Sequence, residues 1–333
     1  MAKILNKISV RSFPKKKAME WKGAAVCPGS CGELVQGTWD GINFLVPCPI
    51  NRYSLAEVRL RPNAPLTGPA DRPKALEAVR RALTILGCPE LGGELVLQSQ
   101  IPRGKGMASS TADIGAAIAA AAAALGAVLN PRELAALAVS IEPTDGTVLP
   151  GITLLDHVNG RWQLPLGNGP AAKILVIDLG GQVDTLEFNA SPELPEKNLI
   201  NEPQTKEAFH LVRRGVQEKN LSLLGQGTTL SAQANQSILP KPLLHEIWAW
   251  GRKRGSLGVI AAHSGTVLGL IYQPARELGK EEEALRNAFP EIQAGWNVEL
   301  VQGGVRVVKP GAGSWRQLGG GEGKVRELGV PGF

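Results

Sequence analysis

Aromatic residues are scarce in this chain of 333 residues, which has two tyrosines, six phenylalanines and seven tryptophans. With so few, no aromatic-rich platform for stacking RNA bases is evident, and no nucleic-acid partner is expected. Four cysteines, at 27, 31, 48 and 88, are too few to frame so long a chain with disulfides. Cys27 and Cys31 have no second Cys pair or His cluster downstream to complete a zinc site, so reduced thiols in a cytoplasmic protein are expected. The N-terminus has basic residues but no apolar h-region, which argues against a secretory signal. No uninterrupted apolar run reaches bilayer length except an alanine segment, too weakly hydrophobic to favour insertion, so no membrane partner is expected. Also missing are the Gly-Lys-Ser/Thr ending of a Walker loop and the G-x-G-x-x-G dinucleotide fingerprint.

What is present is ordinary globular material: 43% hydrophobic and 20% charged residues, enough chain for about two domains. A net charge of +6 leaves room for an anionic partner. Part of that excess, Lys15, Lys16 and Lys17, reads as a solvated N-terminal arm.

The most informative stretch runs from Ile101 to Leu125. Gly104 and Gly106 let the backbone curl tightly, Ser109, Ser110 and Thr111 supply hydroxyls, and Ala112 to Leu125 are strong helix formers. A loop therefore feeds a helix N-terminus, where free N–H groups and the positive dipole end suit a polyphosphate. Ser110-Thr111-Ala112-Asp113 also fits a capping box that needs no ligand. The stretch alone supports either reading.

In chain order, an arm to about Lys22 precedes a strand over 24–27. A glycine-punctuated segment over 28–37 follows, which turn chemistry alone explains. Strand signals recur over 43–47, 53–60 and 94–100, with a helix over 73–86 between the last two. After the alanine helix, Asn130-Pro131-Arg132-Glu133 starts another helix with an N-cap, a proline at N1 and a reciprocal Glu, ending near Ile141. Pro143 then pushes Glu142 out of the helical region, so Glu142 and Asp145 belong to a loop. A hairpin over 153–164 turns at Asn159-Gly160 and carries Asp156 and His157, which fit solvated edge residues as readily as functional ones. A buried-type strand spans 173–178.

Three prolines between Ser191 and Gln204 mark a domain boundary. Beyond it lie helices over 205–218, 221–230 and 242–254, a hairpin over 258–272, a helix over 275–288 and a strand pair over 298–308. The expected division is an arm at 1–22, domains at 23–195 and 196–309, and a mobile Gly-rich tail at 310–333.

The order of these motifs resembles the GHMP kinase superfamily. Cys27 to Glu33 matches its first motif, Pro102 to Ala112 its glycine-serine phosphate loop, and Gly258 to Gly269 its C-terminal glycine-containing turn. Cys27 to Gly37, Gly104 to Asp113, Glu142 to Asp145 and Ala261 to Thr266 are together similar to the L-threonine kinases of cobalamin biosynthesis within that superfamily. The resemblance implies an α+β, two-domain GHMP kinase fold: an N-terminal domain like the second domain of ribosomal protein S5 and a ferredoxin-like C-terminal domain. It implies ATP and Mg²⁺ as cofactors and L-threonine as the small-molecule substrate, with a possible homodimer.

By the same resemblance, Pro102, Gly104, Lys105, Gly106, Met107, Ala108, Ser109, Ser110 and Thr111 bind ATP, Lys105 adding charge, and Ser110 with Glu142 holds the metal. Asp145 orients or deprotonates the acceptor hydroxyl, in preference to Asp156. Ser30, Glu33, Gln36, His263 and Ser264 are the candidate substrate contacts, and Asp113 is read as holding the first helical turn. Two departures stand out: Ser30 occupies a place where several relatives carry Lys or Arg, and Ala262-His263-Ser264-Gly265 replaces a run of glycines. The alternatives are a homoserine kinase or other small-alcohol kinase and, in another class, a non-catalytic nucleotide-sensing or RNA-binding protein.

Overall fold

The computed structural model describes residues 20–181 and 191–311. The expected arm up to residue 19, and the tail beyond residue 311, lie outside them.

The frame is a long antiparallel pair, β1 (Trp21–Trp39) and β2 (Ile42–Pro62). Their turn residues Asp40 and Gly41 have φ of 50° and 75°, the positive values that two-residue hairpin turns favour. β1 runs through the segment expected to be a turn. The glycines of 28–37 produce register shifts between Pro28 and Gly29, Ser30 and Glu33, and Glu33 and Val35, so they bend the strand without ending it. Trp21 and Lys22, assigned to the arm, already pair with Leu60 and Arg59.

Next come β3 (Leu66–Thr67), α1 (Pro73–Ile85) and β4 (Leu91–Ser99), the last pairing with β2. α2 (Ser109–Ala124) is buried almost throughout beneath β1 and β2. Its alanines let backbones touch: a Cβ at Gly23 of β1 would lie 2.2 Å from the Ala120 carbonyl oxygen. α3 (Pro131–Val139) starts with the capping box read from sequence, Glu133 N donating to Asn130 Oδ1 at 3.0 Å and Asn130 N to Glu133 Oε2 at 2.9 Å. β5 (Ile152–Leu155) and β6 (Gln163–Gly167) form the expected hairpin. Asp156 and His157 are buried in it, not solvated at an edge.

β7 (Lys173–Asp178), α4 (Leu194–Gln217), α5 (Leu221–Ala234), α6 (Leu244–Lys253), β8 (Gly258–Ala261), β9 (Val267–Tyr272), α7 (Gly279–Ala288), β10 (Ala294–Glu299) and β11 (Arg306–Val308) complete the described fold. α4 covers most of the proline-marked boundary, carrying Pro203 inside it. The strands run in the order β10-β7-β9-β8-β1-β2-β4-β3, and β7 pairs with β9 and β10 of the C-terminal half, so the sheet is continuous across residues 195 and 196. β10 and β11 are not partners of one another; β11 pairs with β1. β1 and β8 meet at one register pair, Glu33 with Ala261.

No helix among the described residues is long and apolar enough to cross a membrane.

Candidate active site

The loop between β4 and α2 is clamped by backbone from both halves of the chain. Ser30 N donates to the Met107 carbonyl at 3.0 Å, Gly32 N to the Gly106 carbonyl at 3.2 Å, and Thr266 N to the Lys105 carbonyl at 3.0 Å. Glycine is required here because backbone packs on backbone. A Cβ at Gly106, whose φ is 76°, would lie 2.6 Å from Ala262 Cβ, and one at Gly265 would lie 2.3 Å from Gly106 Cα. Two segments far apart in sequence thus converge on one loop.

That loop delivers Ala108, in the left-handed conformation at φ 57°, to the N-cap of α2, and no side chain caps the first turn. The capping box at Ser110 to Asp113 does not form. The Asp113 carboxylate instead accepts the Ser54 hydroxyl and meets Arg72 Nε at 3.4 Å, anchoring α2 to β2 and to the approach to α1. Burial pushes its carboxyl above the usual range, with the Ser54 bond and Arg72 opposing. An uncapped helix start with αL strain beside it is an anion-binding arrangement.

A cavity of about 310 Å³ opens there, lined by Gly104, Ser109 and Ser110, by the cations Arg72, Lys74 and Arg103, and by the carboxylates Asp71 and Asp113, Arg103 being ion-paired with Asp71 at 2.8 Å. None of the three cations was singled out from sequence. Lys74 did carry a signal: a cation in the first turn of α1 opposes the helix dipole, so its position needs another reason. Lys105, expected to add charge, is turned away. Its ammonium meets Asp178 Oδ2 at 2.8 Å and the Gly181 carbonyl at 2.9 Å. Met107 places its side chain in the core and offers only its carbonyl, and Pro102 is half-buried.

Thr111, expected to bind the cofactor, is buried and does different work: its Oγ1 accepts from Asp145 N at 3.1 Å. The 142–145 loop is thereby fixed to the start of α2. Glu142 is ion-paired with Lys74, one of the residues that line the cavity. Asp145 heads the short turn Gly146–Val148, its Oδ1 accepting from Thr147 N at 2.9 Å. Burial first, and the charge of Glu33 second, push its carboxyl up to about 8. Asp156, the alternative, spends both carboxylate oxygens on backbone: Oδ1 accepts from Val158 N and Asn159 N, and Oδ2 from Arg161 N at 3.3 Å. It organises the β5–β6 turn.

A second cavity, of about 150 Å³, is lined in part by Pro143, Gln36, His157, Asn235 and His263. Glu33 stands behind it. Its Oε2 accepts from His263 N at 2.8 Å and lies 3.1 Å from His263 Nδ1, while His263 Nε2 is 3.2 Å from Ser231 Oγ. Gln36 and His263 therefore do line a cavity, and Glu33 positions His263. Ser30 does not. Its hydroxyl, fully buried, accepts from Cys48 N at 3.0 Å and donates to the Gly32 carbonyl, stabilising the bulge of β1. Ser264 is half-buried in the β8–β9 turn.

The oxygen donors beside the first cavity, Glu142 and the serine hydroxyls, suit a hard cation that keeps most of its waters. Among the described residues there is no cluster of three or more His, Cys, Asp or Glu for a fully protein-held metal.

Comparison with known proteins places this geometry. Residues 73–152 match the model for the GHMP kinases N terminal domain, a span from α1 to the start of β5. The chain is 36% identical over 292 residues to an L-threonine kinase of Salmonella typhimurium, an alignment that covers 85% of this chain and 95% of that one. It is 39% identical over 250 residues to an L-threonine kinase of Citrobacter freundii, covering 74% and 85%. Among solved structures, a homoserine kinase from Cytophaga hutchinsonii superposes with a TM-score of 0.61 at 17% identity, covering 90% of this chain and all of that one. A mevalonate kinase of L. major, in complex with R-mevalonate, gives 0.62 at 16% identity, covering 89% and 100%.

Proposed function

This chain belongs to the L-threonine kinase family of GHMP kinases, and from that premise we propose that it transfers the γ-phosphoryl group of ATP to the hydroxyl of L-threonine. The products are ADP and O-phospho-L-threonine, the latter serving the aminopropanol linker of cobalamin. The observation that carries the reading is the Thr111 hydroxyl, which holds Asp145 at 3.1 Å against the first turn of α2. One rigid unit thereby presents both an anion-binding helix start and a carboxylate.

In the proposed mechanism the free N–H groups at the start of α2 hold the β- and γ-phosphates, with Lys74 and Arg103, which line the same cavity, neutralising charge. Glu142 and Ser110 would hold Mg²⁺, which when bound neutralises charge on the phosphate oxygens. The Lys74–Glu142 pair holds the Glu142 carboxylate beside a residue that lines the cavity. Asp145 orients the threonine hydroxyl and takes its proton as the oxygen attacks phosphorus; the bond from phosphorus to the bridging oxygen breaks, and its electrons leave on the β-phosphate. Positioning and charge carry most of the rate.

The test is a panel: purified protein with Mg·ATP and, in turn, L-threonine, L-serine, L-homoserine and mevalonate, read as ADP release. The expected order places L-threonine first by kcat/KM. Preference for L-homoserine would overturn the substrate, and turnover of none would overturn the kinase reading.

A further inference from the structure

The smaller cavity contains unspent polar chemistry. Among the described residues, two buried side-chain nitrogens without a hydrogen-bond partner, His157 Nδ1 and Asn235 Nδ2, belong to residues that line it. Buried polar atoms are nearly always satisfied, so a pair of orphans on one cavity points to a ligand that satisfies them.

Asn235 opens a short loop that ends at Lys241. Gln236 fixes that loop from within, its Oε1 accepting from Lys241 N at 2.6 Å and its Nε2 donating to the Lys241 carbonyl at 3.2 Å. Lys241 is 5% exposed, and its ammonium donates to the Gly265 carbonyl at 2.6 Å. No carboxylate among the described residues lies within salt-bridge distance of it. Burial lowers its pKa to about 8, against the opposing pull of Glu33. A buried cation without a counter-ion is stabilised when an anion arrives. His157 is neutral at ordinary pH, burial having pushed it down to about 4. A neutral imidazole offers an acceptor nitrogen.

Size narrows the ligand. A cavity of about 150 Å³ takes a molecule on the scale of benzene, too little for a nucleoside and suited to a small amino acid. The cavity lies under Pro143, two residues from Asp145, and Thr144 N donates to the His157 carbonyl at 3.0 Å, so the cavity wall and the 142–145 loop move together.

We infer that this cavity seats the amino-acid head group of the acceptor: Asn235 Nδ2 donates to its α-carboxylate and His157 Nδ1 accepts from its ammonium, while the buried ammonium of Lys241, on the Gly265 carbonyl outside the cavity lining, adds only long-range positive charge. The assignment rests on the kinase reading above and names the residues that recognise an α-amino acid. Phosphate-loop residues take no part in it.

The test separates acceptor from nucleotide. Asn235→Ala is expected to raise KM for L-threonine by roughly 10- to 100-fold, the worth of a hydrogen bond to a charged group, with KM for ATP within about twofold of the wild type. Asn235→Asp, of the same shape, places a negative charge at the carboxylate end and is expected to lose more. L-2-aminobutyrate, which keeps the head group and lacks the hydroxyl, is expected to bind the wild type in calorimetry and not Asn235→Asp. In the wild type itself, adding L-2-aminobutyrate is expected to shift the ¹⁵N resonance of His157 Nδ1. An unmoved resonance, or an unchanged threonine KM in a folded Asn235 variant that still turns over, would overturn the pocket assignment and leave the kinase reading intact. Absence of turnover of every acceptor in the panel by the wild type would overturn the kinase reading instead.

Discussion

Gly106→Ala is the sharpest probe of the loop clamp, because a second glycine supplies its control. Gly106 and Gly126 have φ of 76° and 67°, so alanine meets a similar left-handed strain at either position, about 1–2 kcal/mol. Their surroundings differ. A Cβ at Gly126 has nothing within 4 Å, whereas one at Gly106 would lie 2.6 Å from Ala262 Cβ and 2.8 Å from Gly265 Cα. Relaxing those contacts to ordinary separations near 3.5–4.0 Å moves the loop and the β8–β9 turn apart by about 1 Å. Overpacking of that kind adds roughly 1–3 kcal/mol. Urea denaturation should therefore show Gly106→Ala less stable than Gly126→Ala by about that difference.

Kinetics should separate the two further. Displacement by about 1 Å disturbs the Gly32-to-Gly106 and Thr266-to-Lys105 bonds and the aim of the α2 start, so kcat/KM for ATP should fall about 10²-fold in Gly106→Ala. Gly126→Ala should leave it unchanged. Adding Ala262→Gly removes the nearest obstacle and should restore part of both losses, a non-additive pair. Equal destabilisation by the two alanines, with ATP kinetics intact in both, would refute the argument that the clamp is steric.

Asp145→Asn should lower kcat by roughly 10²–10⁴-fold with little change in KM for ATP. Wild-type kcat/KM should rise as pH increases through about 8 and fall below it, an acidic limb that the variant lacks. For stability the sign is opposite. With the folded-state carboxyl raised to about 8, the folded protein keeps a proton that the unfolded chain gives up, so stability declines as pH rises toward 8, and Asp145→Asn should remove that contribution in thermal melts. Glu142→Gln should abolish activity at every Mg²⁺ concentration tried; full activity would remove Glu142 from the metal site. Gly23→Ala, whose Cβ would lie 2.2 Å from the Ala120 carbonyl oxygen, should destabilise by about 1–3 kcal/mol and leave KM for L-threonine unchanged in the folded fraction.

Local chemistry was readable wherever one short segment contains its own reason. The α3 capping box is an example, since Asn130 and Glu133 satisfy each other three residues apart. Reading failed where the deciding partner is distant. Ser110 to Asp113 has capping-box spelling, yet Ser54 and Arg72 claim Asp113. The glycines of 28–37 spell a turn, but pairing with β2 holds them in a strand. Lys105 sits in the phosphate loop by sequence and faces Asp178 in space. His157 and Asn235 had no local spelling at all, because each leaves a buried side-chain nitrogen that no protein group among the described residues satisfies.

The three glycine-bearing motifs were separate clues in the sequence, and the fold makes them one steric condition. Gly32 N bonds the Gly106 carbonyl, and a Cβ at Gly32 would lie 2.7 Å from Ala262 Cα. Ala262 in turn packs on Gly106, and Gly106 on Gly265. Each motif needs its glycine because the other two bring backbone within contact of it, so a side chain at any one position displaces the whole junction. Glu33 belongs to the same junction: it is the register partner of Ala261, its carboxylate holds His263, and its charge raises Asp145. A change at Glu33 should therefore register at both cavities, shifting the acidic limb assigned to Asp145 downward while loosening His263 beside the acceptor. Glu33→Gln keeps the shape and removes the charge. It should move that limb toward lower pH and raise KM for L-threonine together; movement of only one would show that the two cavities are not joined through this residue.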